Sequence, residues 1–322
     1  MENSTEEECC HGVFIFLIFL ECFSLLLSVV LNVFHLIVLI LNTSLFTGNL
    51  HFCLRVLAVI DIAGGSLCHG INIIYYFNRT MIKTSLVKCN VAVGFCILLV
   101  LFSQLTLFVI TIDRYIAVTR PLQYYNILTR RRIRIFLLAV LMFGFSLSVG
   151  RSVHGFAIGH CDFDGDNLFM RKGTRALTIY NILPLILVMV TTILNARLLF
   201  IARAHKRRCQ VTRQLNIALT SRDSAEAHDT EQNIFSERYK SAITISAVVG
   251  ASYLVWMPYL IITIVILSTQ SNLSPVGKVT TYWLIYTTFW LNPIVFGLVN
   301  RSYKNAAIRL TRKMRHRYDS VP

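Results

Sequence analysis

Residues 89–121 read CNVAVGFCILLVLFSQLTLFVITIDRYIAVTRP, and this stretch decides the fold. Its first 24 residues, 89–112, carry no charged side chain, and Asp113 and Arg114 end the run. A helix needs about 20 predominantly apolar residues to cross the hydrocarbon core of a bilayer. The stretch therefore predicts a transmembrane helix that ends in a charged pair at a membrane surface.

Six further apolar runs of similar length lie on either side of this segment. The seven predicted spans cover residues 13–41, 50–77, 89–112, 134–158, 176–202, 240–268 and 279–299. The chain is 55% hydrophobic and 15% charged, whereas soluble domains carry about 25% charged residues. We therefore predict an all-α membrane protein, a seven-transmembrane helix bundle with a short cytoplasmic amphipathic eighth helix.

The basic residues set the expected orientation of the bundle. The net charge of +15 could suggest nucleic-acid binding, but the basic residues lie between apolar runs and form no single soluble surface. Of the 31 Lys and Arg residues, 23 lie at one side: in the connections between spans one and two, three and four, and five and six, and in the carboxyl-terminal tail. The positive-inside rule then predicts an extracellular amino terminus and a multi-pass protein of the plasma membrane with no nucleic-acid partner.

This orientation divides the chain into three parts. We expect residues 1–12 to form an extracellular amino terminus, 13–300 the seven-transmembrane domain, and 301–322 an amphipathic helix and short cytoplasmic tail. The polar segment 204–238 is expected to be a long mobile cytoplasmic loop. Basic residues at the inner surface and on the amphipathic helix are expected to contact membrane lipids. Three Asn-x-Ser/Thr sequons, at Asn3, Asn78 and Asn272, lie outside, and Asn3 and Asn78 are the expected glycosylation sites.

Several short motifs occur one after another along the predicted spans. They are Asn32, Leu57-Ala58-Val59-Ile60-Asp61, Cys89, Asp113-Arg114-Tyr115, Cys161, Pro184, Trp256-Met257-Pro258 and Asn292-Pro293-Ile294-Val295-Phe296. Together they resemble the rhodopsin-like (class A) G-protein-coupled receptors, and the resemblance covers all seven spans. It implies a receptor, not an enzyme, that binds an extracellular ligand and activates a heterotrimeric G protein.

The resemblance also implies a switch and a disulfide bond. In such receptors the Arg114 position separates from the Asp113 position as the sixth helix swings about Pro258, which opens a cleft for the G protein. The residues expected in coupling and switching are Asp113, Arg114, Tyr115, Gln104, Pro184, Ser252, Trp256, Pro258, Asn292, Pro293 and Phe296. Cys89 and Cys161 are expected to form a disulfide bond at the oxidising, extracellular side.

Asp61 lies in the middle of an apolar span, where a carboxylate must be neutralised or matched by a cation. In similar receptors, the positions of Ser103 and Asn292 join this aspartate around a sodium ion. The alternative is a protonated Asp61 bonded to Asn32 and Asn292. The residues support the two interpretations equally, and no other cofactor is expected.

The predicted ligand site lies in the outer half of the bundle. Helical position places there Tyr75, Cys96, Val100, Tyr180, Trp256, Tyr259, Thr263, Lys278, Tyr282 and Tyr286. Cys96 stands where amine receptors carry an aspartate, and Tyr286 stands where light-sensing members carry a lysine. Because Lys278 is the only charge in this set, we expect a non-aminergic, neutral or anionic hydrophobic ligand.

Several positions depart from the family pattern. Thr192 and Phe296 replace tyrosines that help activation in similar receptors. Gln104 and Ser252 replace apolar residues at mid-membrane depth, and we expect them to bond to each other because an unpaired buried amide is costly. Three alternatives stay open: an odorant-like chemosensory receptor, a receptor-like scavenger or dimer partner that does not couple, and, more weakly supported, a transporter or channel.

Overall fold

The computed structural model describes residues 2–42, 48–77, 85–157, 186–201, 203–204, 207, 225–269 and 275–319. We call the end of the bundle that holds Asp113 the cytoplasmic end and the opposite part the outer half, following the count of basic residues. The described helices are α1 (Glu2–Leu41), α2 (Asn49–Phe77), α3 (Leu86–Thr119), α4 (Tyr124–Ile127), α5 (Arg130–Ala157), α6 (Ile186–Ile201), α7 (Ala225–Thr269), α8 (Pro275–Tyr286), α9 (Thr288–Val299) and α10 (Arg301–Asp319).

All secondary-structure elements in the described part of the chain are helices, which confirms the predicted all-α class. Five helices are long and apolar enough to cross a membrane, and α8 with α9 makes a sixth candidate span if the bent pair is counted as one. The shorter apolar helix α6 lies within the predicted fifth span. Large apolar side chains such as Phe19, Leu138 and Ile261 face outward, as lipid-facing residues of a bundle do.

Two buried clusters hold the helices together. The larger one lies in the cytoplasmic half and includes Leu39, Leu54, Ile110, Ile245 and Phe296 from five different helices. The smaller one lies in the outer half. It includes Cys68, Cys96, Val100, Trp256 and Phe289.

Glycines bring α2 close to its neighbours. A Cβ atom added at Gly64 would overlap the ring of Phe289 on α9, and one added at Gly65 would overlap the Ser28 side chain on α1. Small residues at helix contacts allow close backbone approach in membrane proteins. These two glycines therefore set the distances from α2 to α1 and α9.

The seventh span bends by 43° between Tyr286 and Thr288. The Thr287 hydroxyl donates to the Leu284 carbonyl (2.6 Å), and such side-chain bonds to the preceding turn bend helices. Pro293 has no N–H, so the Phe289 carbonyl lacks its usual helical donor. Asn32 Nδ2 on α1 donates to that carbonyl instead (2.7 Å), which ties α1 to the bent span.

Helix α7 differs from the sequence prediction. It begins at Ala225 and runs for 45 residues, so residues 225–238 of the predicted loop are helical. The prediction relied on the polar, charged composition of this segment. Its Ala, Glu and Gln residues favour a helix, and the segment has neither Gly nor Pro to interrupt one. The first helix is also longer than predicted, because α1 begins at Glu2, within the predicted amino-terminal segment 1–12.

The amphipathic helix after the seventh span is present as α10. Its Tyr303 and Ala306 side chains are buried against the bundle. Tyr303 packs edge-on against Phe296, with ring centroids 5.3 Å apart. Burial raises the pKa of Tyr303 above its usual value. The phenol therefore stays neutral where the tail joins the bundle.

Candidate functional site

The cytoplasmic end of α3 carries a buried ion pair. Arg114 Nε donates to Asp113 Oδ2 (2.8 Å), and Arg114 Nη2 contacts the same oxygen. The Tyr124 hydroxyl on α4 donates to Asp113 Oδ1 (2.7 Å). Burial first, and then the neighbouring Asp113 carboxylate, raise the pKa of Tyr124. Tyr124 thus stays protonated as a donor, and both oxygens of Asp113 are occupied.

The connection after α3 places Tyr124 in this position. Asn49 Nδ2, at the start of α2, donates to the Leu128 carbonyl (2.8 Å) and holds the end of α4 against α2. A cavity of about 470 Å³ lies at this end and is lined by Arg114, Tyr124 and Asn49 among others. Leu122 on the same connection is 91% exposed. This end of the bundle thus offers an arginine, a cavity and an exposed apolar side chain.

A chain of hydrogen bonds crosses the bundle at mid-membrane depth. Ser103 Oγ on α3 donates to Asp61 Oδ1, and Asn292 Nδ2 on α9 donates to Asp61 Oδ2, both at 2.8 Å. Ser252 Oγ on α7 in turn contacts Asn292 Oδ1 at 3.3 Å. Asp61 is fully buried. Four helices are therefore joined by one chain of hydrogen bonds, and the three residues named for a sodium site lie together.

A sodium ion at Asp61 stays a prediction. Each Asp61 oxygen already accepts a hydrogen bond, from Ser103 or from Asn292. The void beside Asp61 and Asn292 measures about 10 Å³, close to the least space that holds one water molecule. This arrangement does not fit a hydrated ion, so we derive no step through sodium.

The expected bond between Gln104 and Ser252 is not formed. Ser252 Oγ contacts Asn292 Oδ1 and the Val248 carbonyl (3.1 Å). Among the described residues, Gln104 Nε2 has no hydrogen-bond partner, although the side chain is buried. The prediction rested on depth in the membrane. It could not include the rotation of α7, which turns Ser252 toward α9.

Because Gln104 and Ser252 do not bond to each other, substitutions at the two positions should act independently. We expect Ser252→Ala to destabilise the receptor by about 0.6 kcal/mol, the average for a membrane hydrogen bond. Gln104→Leu should raise the thermal midpoint, because it removes an amide without a partner. The effects should add in the double variant, since the residues share no bond. Thermal unfolding of the purified variants measures this, and a clear departure from additivity would restore the paired arrangement.

The outer half brings several predicted ligand residues together. Cys96, Val100 and Trp256 are buried in one cluster, and Tyr282 and Tyr286 pack against it. Tyr259 packs edge-on against Trp256, with ring centroids 5.9 Å apart. Tyr75, further out on α2, is also buried.

Some predicted positions lie outside the described residues. They are Tyr180, Pro184, Cys161 and Asn78, together with the side chains of Asn3, Thr263 and Lys278.

Two buried ionisable groups in this half are absent from the predicted ligand set. Glu21 on α1 contacts His69 on α2 through His69 Nδ1 and Glu21 Oε2, and Asn72 Nδ2 donates to Glu21 Oε1 (2.8 Å). Arg151 on α5 is also buried. The available signal for Glu21 was a lone carboxylate within an apolar span. The outer half therefore holds ionisable side chains that the predicted ligand set does not include.

A second missed contact joins α6 to α7. Ser246 Oγ donates to Asn195 Oδ1 (2.8 Å), and Asn195 Nδ2 donates back to the Ser246 carbonyl (3.2 Å). Both side chains are buried. This reciprocal pair ties α6 to α7 within the cytoplasmic half. No sequence motif that we used marks these two residues.

Cys89, at the start of α3, is disulfide-bonded. The pairing with Cys161 remains a prediction, since Cys161 lies outside the described residues. We expect Cys89→Ser and Cys161→Ser each to lower surface expression sharply, because a disulfide typically contributes about 2–4 kcal/mol. Cys22, an exposed free cysteine, provides the control, and Cys22→Ser should express normally. Flow cytometry of intact cells measures the effect, and normal expression of either test variant would contradict the pairing.

The family profile described as 7 transmembrane receptor (rhodopsin family) matches residues 31–296. The chain belongs to the rhodopsin family of seven-transmembrane receptors. This confirms the predicted family and the seven-helix bundle, and it makes the protein a receptor and not an enzyme. Family membership implies a multi-pass plasma-membrane protein with an extracellular ligand and a G-protein partner.

Similar proteins include receptors that are named after amines. The chain is 28% identical to the Histamine H2 receptor of Cavia porcellus over 297 residues, which cover 84% of this chain and 76% of the relative. It is 27% identical to Trace amine-associated receptor 365 of Petromyzon marinus, over 68% of this chain and 58% of the relative. It is also 27% identical to G-protein coupled receptor 161 of Xenopus tropicalis, over 72% of this chain and 48% of that protein.

Proposed function

We propose that this receptor converts the binding of an extracellular ligand in its outer half into activation of a heterotrimeric G protein. The observation that carries the proposal is the Asp113–Arg114 pair. It is held by Tyr124 and lies beside a cavity at the cytoplasmic end. Releasing Arg114 from Asp113 would present a guanidinium to a partner entering this end. Leu122 would supply an exposed apolar contact on the same surface.

Helix α7 offers a physical route between the two ends. Trp256 lies in the outer cluster, and Ser252, one turn earlier on the same helix, contacts Asn292 beside Asp61. Further along α7, Ile245 packs in the cytoplasmic cluster. A ligand that binds more tightly to one position of Trp256 would therefore favour one arrangement of the whole helix. Only this difference in affinity can shift the equilibrium between the two states.

We propose that the ligand is hydrophobic and neutral or anionic. Cys96 supplies no charge where an amine receptor has its aspartate, and the surrounding side chains are aromatic. The buried Arg151 adds a cation to this half. The amine names of the similar receptors point the other way, but those receptors share only 26–28% identity with this chain. An amine ligand is therefore the alternative to test.

A receptor that does not couple is the second candidate function. Phe296 occupies the place of a family tyrosine and is buried against His35 and Tyr303, without a hydroxyl to take part in a switch. Thr192 bonds to the Val188 carbonyl of its own helix (3.0 Å). A scavenger or dimer partner would keep the ligand site and lack exchange activity. An odorant-like receptor would couple but respond to a volatile hydrophobic ligand.

Nucleotide exchange by the purified receptor tests the proposal. The full chain, reconstituted in lipid nanodiscs, is assayed with a panel of heterotrimeric G proteins, with and without tissue extract. We expect extract-dependent exchange on at least one G protein, and its loss in Arg114→Ala at equal receptor concentration. Exchange that never exceeds the Arg114→Ala background would favour the non-coupling alternative. Activity in an amine fraction alone would favour an amine ligand.

A further inference from the structure

The outer ends of α1 and α2 share a buried polar cluster of Glu21, His69 and Asn72. Glu21 and His69 are at most 1% exposed. Both Glu21 oxygens have donors, one from Asn72 and one from His69. The second ring nitrogen, His69 Nε2, has no hydrogen-bond partner among the described residues. A buried polar atom without a partner is costly, so the group that satisfies Nε2 must come from elsewhere.

The proton count of this pair identifies what Nε2 requires. A net charge in the apolar interior is strongly disfavoured, so the Glu21–His69 pair is expected to be neutral overall. A neutral pair holds two protons, one between Glu21 and Nδ1 and one on Nε2. This holds whether the shared proton belongs to the carboxyl group or to the imidazole. His69 Nε2 is therefore an N–H donor that lacks an acceptor.

The surroundings of His69 place this donor at the predicted ligand site. The Tyr286 ring on α8 lies edge-on to the imidazole, with centroids 5.8 Å apart. Tyr286 also stacks on Phe289 and packs against the cluster that contains Cys68, Cys96 and Trp256. A molecule that reaches Tyr286 from the bundle interior therefore comes close to His69.

We propose that His69, oriented by Glu21 and Asn72, binds a carbonyl or carboxylate oxygen of a hydrophobic ligand between α1, α2 and α8. Glu21 and Asn72 are positioning residues that keep the proton on Nε2, and Tyr286 provides the apolar wall. The inference rests on the proposed function only in placing the ligand in the outer half. It refines the ligand class to molecules with an uncharged or anionic hydrogen-bond acceptor.

Four probes that each carry a straight ten-carbon chain separate this site from general hydrophobic binding. Methyl decanoate and decanoate carry an acceptor, decane carries no polar group, and decyltrimethylammonium carries a cation without an acceptor. The thermal unfolding midpoint of the full receptor in nanodiscs is measured against probe concentration. We expect half-maximal stabilisation at about tenfold lower concentration for methyl decanoate than for decane, the effect of one net hydrogen bond. Decanoate presents the same acceptor with a net charge, which an apolar interior disfavours, so it should need a higher concentration than methyl decanoate.

Three variants test the assigned roles. His69→Phe should remove the difference between methyl decanoate and decane. In Glu21→Gln the amide oxygen can accept from Asn72 while the amide NH2 donates to His69 Nδ1, so Nε2 keeps its proton. This variant should therefore keep the preference for methyl decanoate over decane that His69→Phe loses. The control is His35→Phe, which replaces a buried histidine of the cytoplasmic half and should behave like the parent.

The results distinguish a ligand-binding role of the Glu21–His69–Asn72 cluster from a purely structural one. Equal response of the parent to methyl decanoate and decane, or an unchanged preference in His69→Phe, would show that the cluster only joins α1 to α2. If the variants do not fold, nitrogen-15 NMR of the histidine-labelled parent decides, and an unprotonated Nε2 at His69 would overturn the proposal. None of these measurements needs a G protein. A receptor that discriminates the probes but lacks nucleotide exchange would therefore contradict only the proposed coupling.

Discussion

Gly64→Ala is expected to reduce the folded, surface-expressed receptor to a small fraction of the parent level. The new Cβ would overlap the ring of Phe289, which is fully buried at the bend of the seventh span. Overpacking a tight contact costs about 1–3 kcal/mol. Phe289 cannot retreat easily, since its carbonyl is held by Asn32 and its ring stacks on Tyr286. Surface expression and the thermal midpoint of purified receptor measure the effect.

Gly70 on the same helix provides the matched control. A Cβ added there meets no atom within 4 Å, so Gly70→Ala should be neutral or stabilise α2 by up to about 1 kcal/mol through helix propensity. A compensating change gives a second check. Phe289→Leu in the Gly64→Ala background should recover part of the lost expression. Equal behaviour of the two glycine variants would show that α2 does not contact α9 as closely as described.

Asp113→Asn is expected to raise ligand-independent nucleotide exchange by about tenfold or more. The change removes the charge that holds the largely buried Arg114 guanidinium, and breaking a buried ion pair costs about 3–5 kcal/mol. Part of that cost falls on the inactive arrangement alone, and 1.4 kcal/mol already changes a population ratio by about tenfold. Exchange assays at matched receptor concentration, without added ligand, measure the rise.

Tyr124→Phe should act in the same direction but more weakly. It removes one donor to Asp113 and leaves the charge pair in place. In the Asp113→Asn background it should add little, because both changes act on one connected group. Tyr125, the exposed neighbour, supplies the control, and Tyr125→Phe should leave basal exchange unchanged. Lower basal exchange in Asp113→Asn, with normal expression, would show that the pair supports the active state instead.

Some parts of the site could be predicted because each family motif implies where its residues lie in the helix bundle. Asp61, Ser103 and Asn292 were expected together, and the structure joins them by two hydrogen bonds. The pairing of Ser252 with Gln104 was wrong, because depth along a helix says nothing about rotation around its axis. The partner of Glu21 could not be predicted, since His69 lies 48 positions later in the chain.

The class of the protein follows from the amino-acid sequence alone, because a 20-residue apolar run crosses a bilayer as a helix that satisfies its own backbone hydrogen bonds. The charged pair that ends the third span is also evident from the sequence. Which polar side chains meet inside the bundle is settled by tertiary packing. Those contacts depend on helix rotation, on the 43° bend of the seventh span and on the close approach at Gly64 and Gly65. Each of these arises from packing between distant segments, and local sequence periodicity does not encode it.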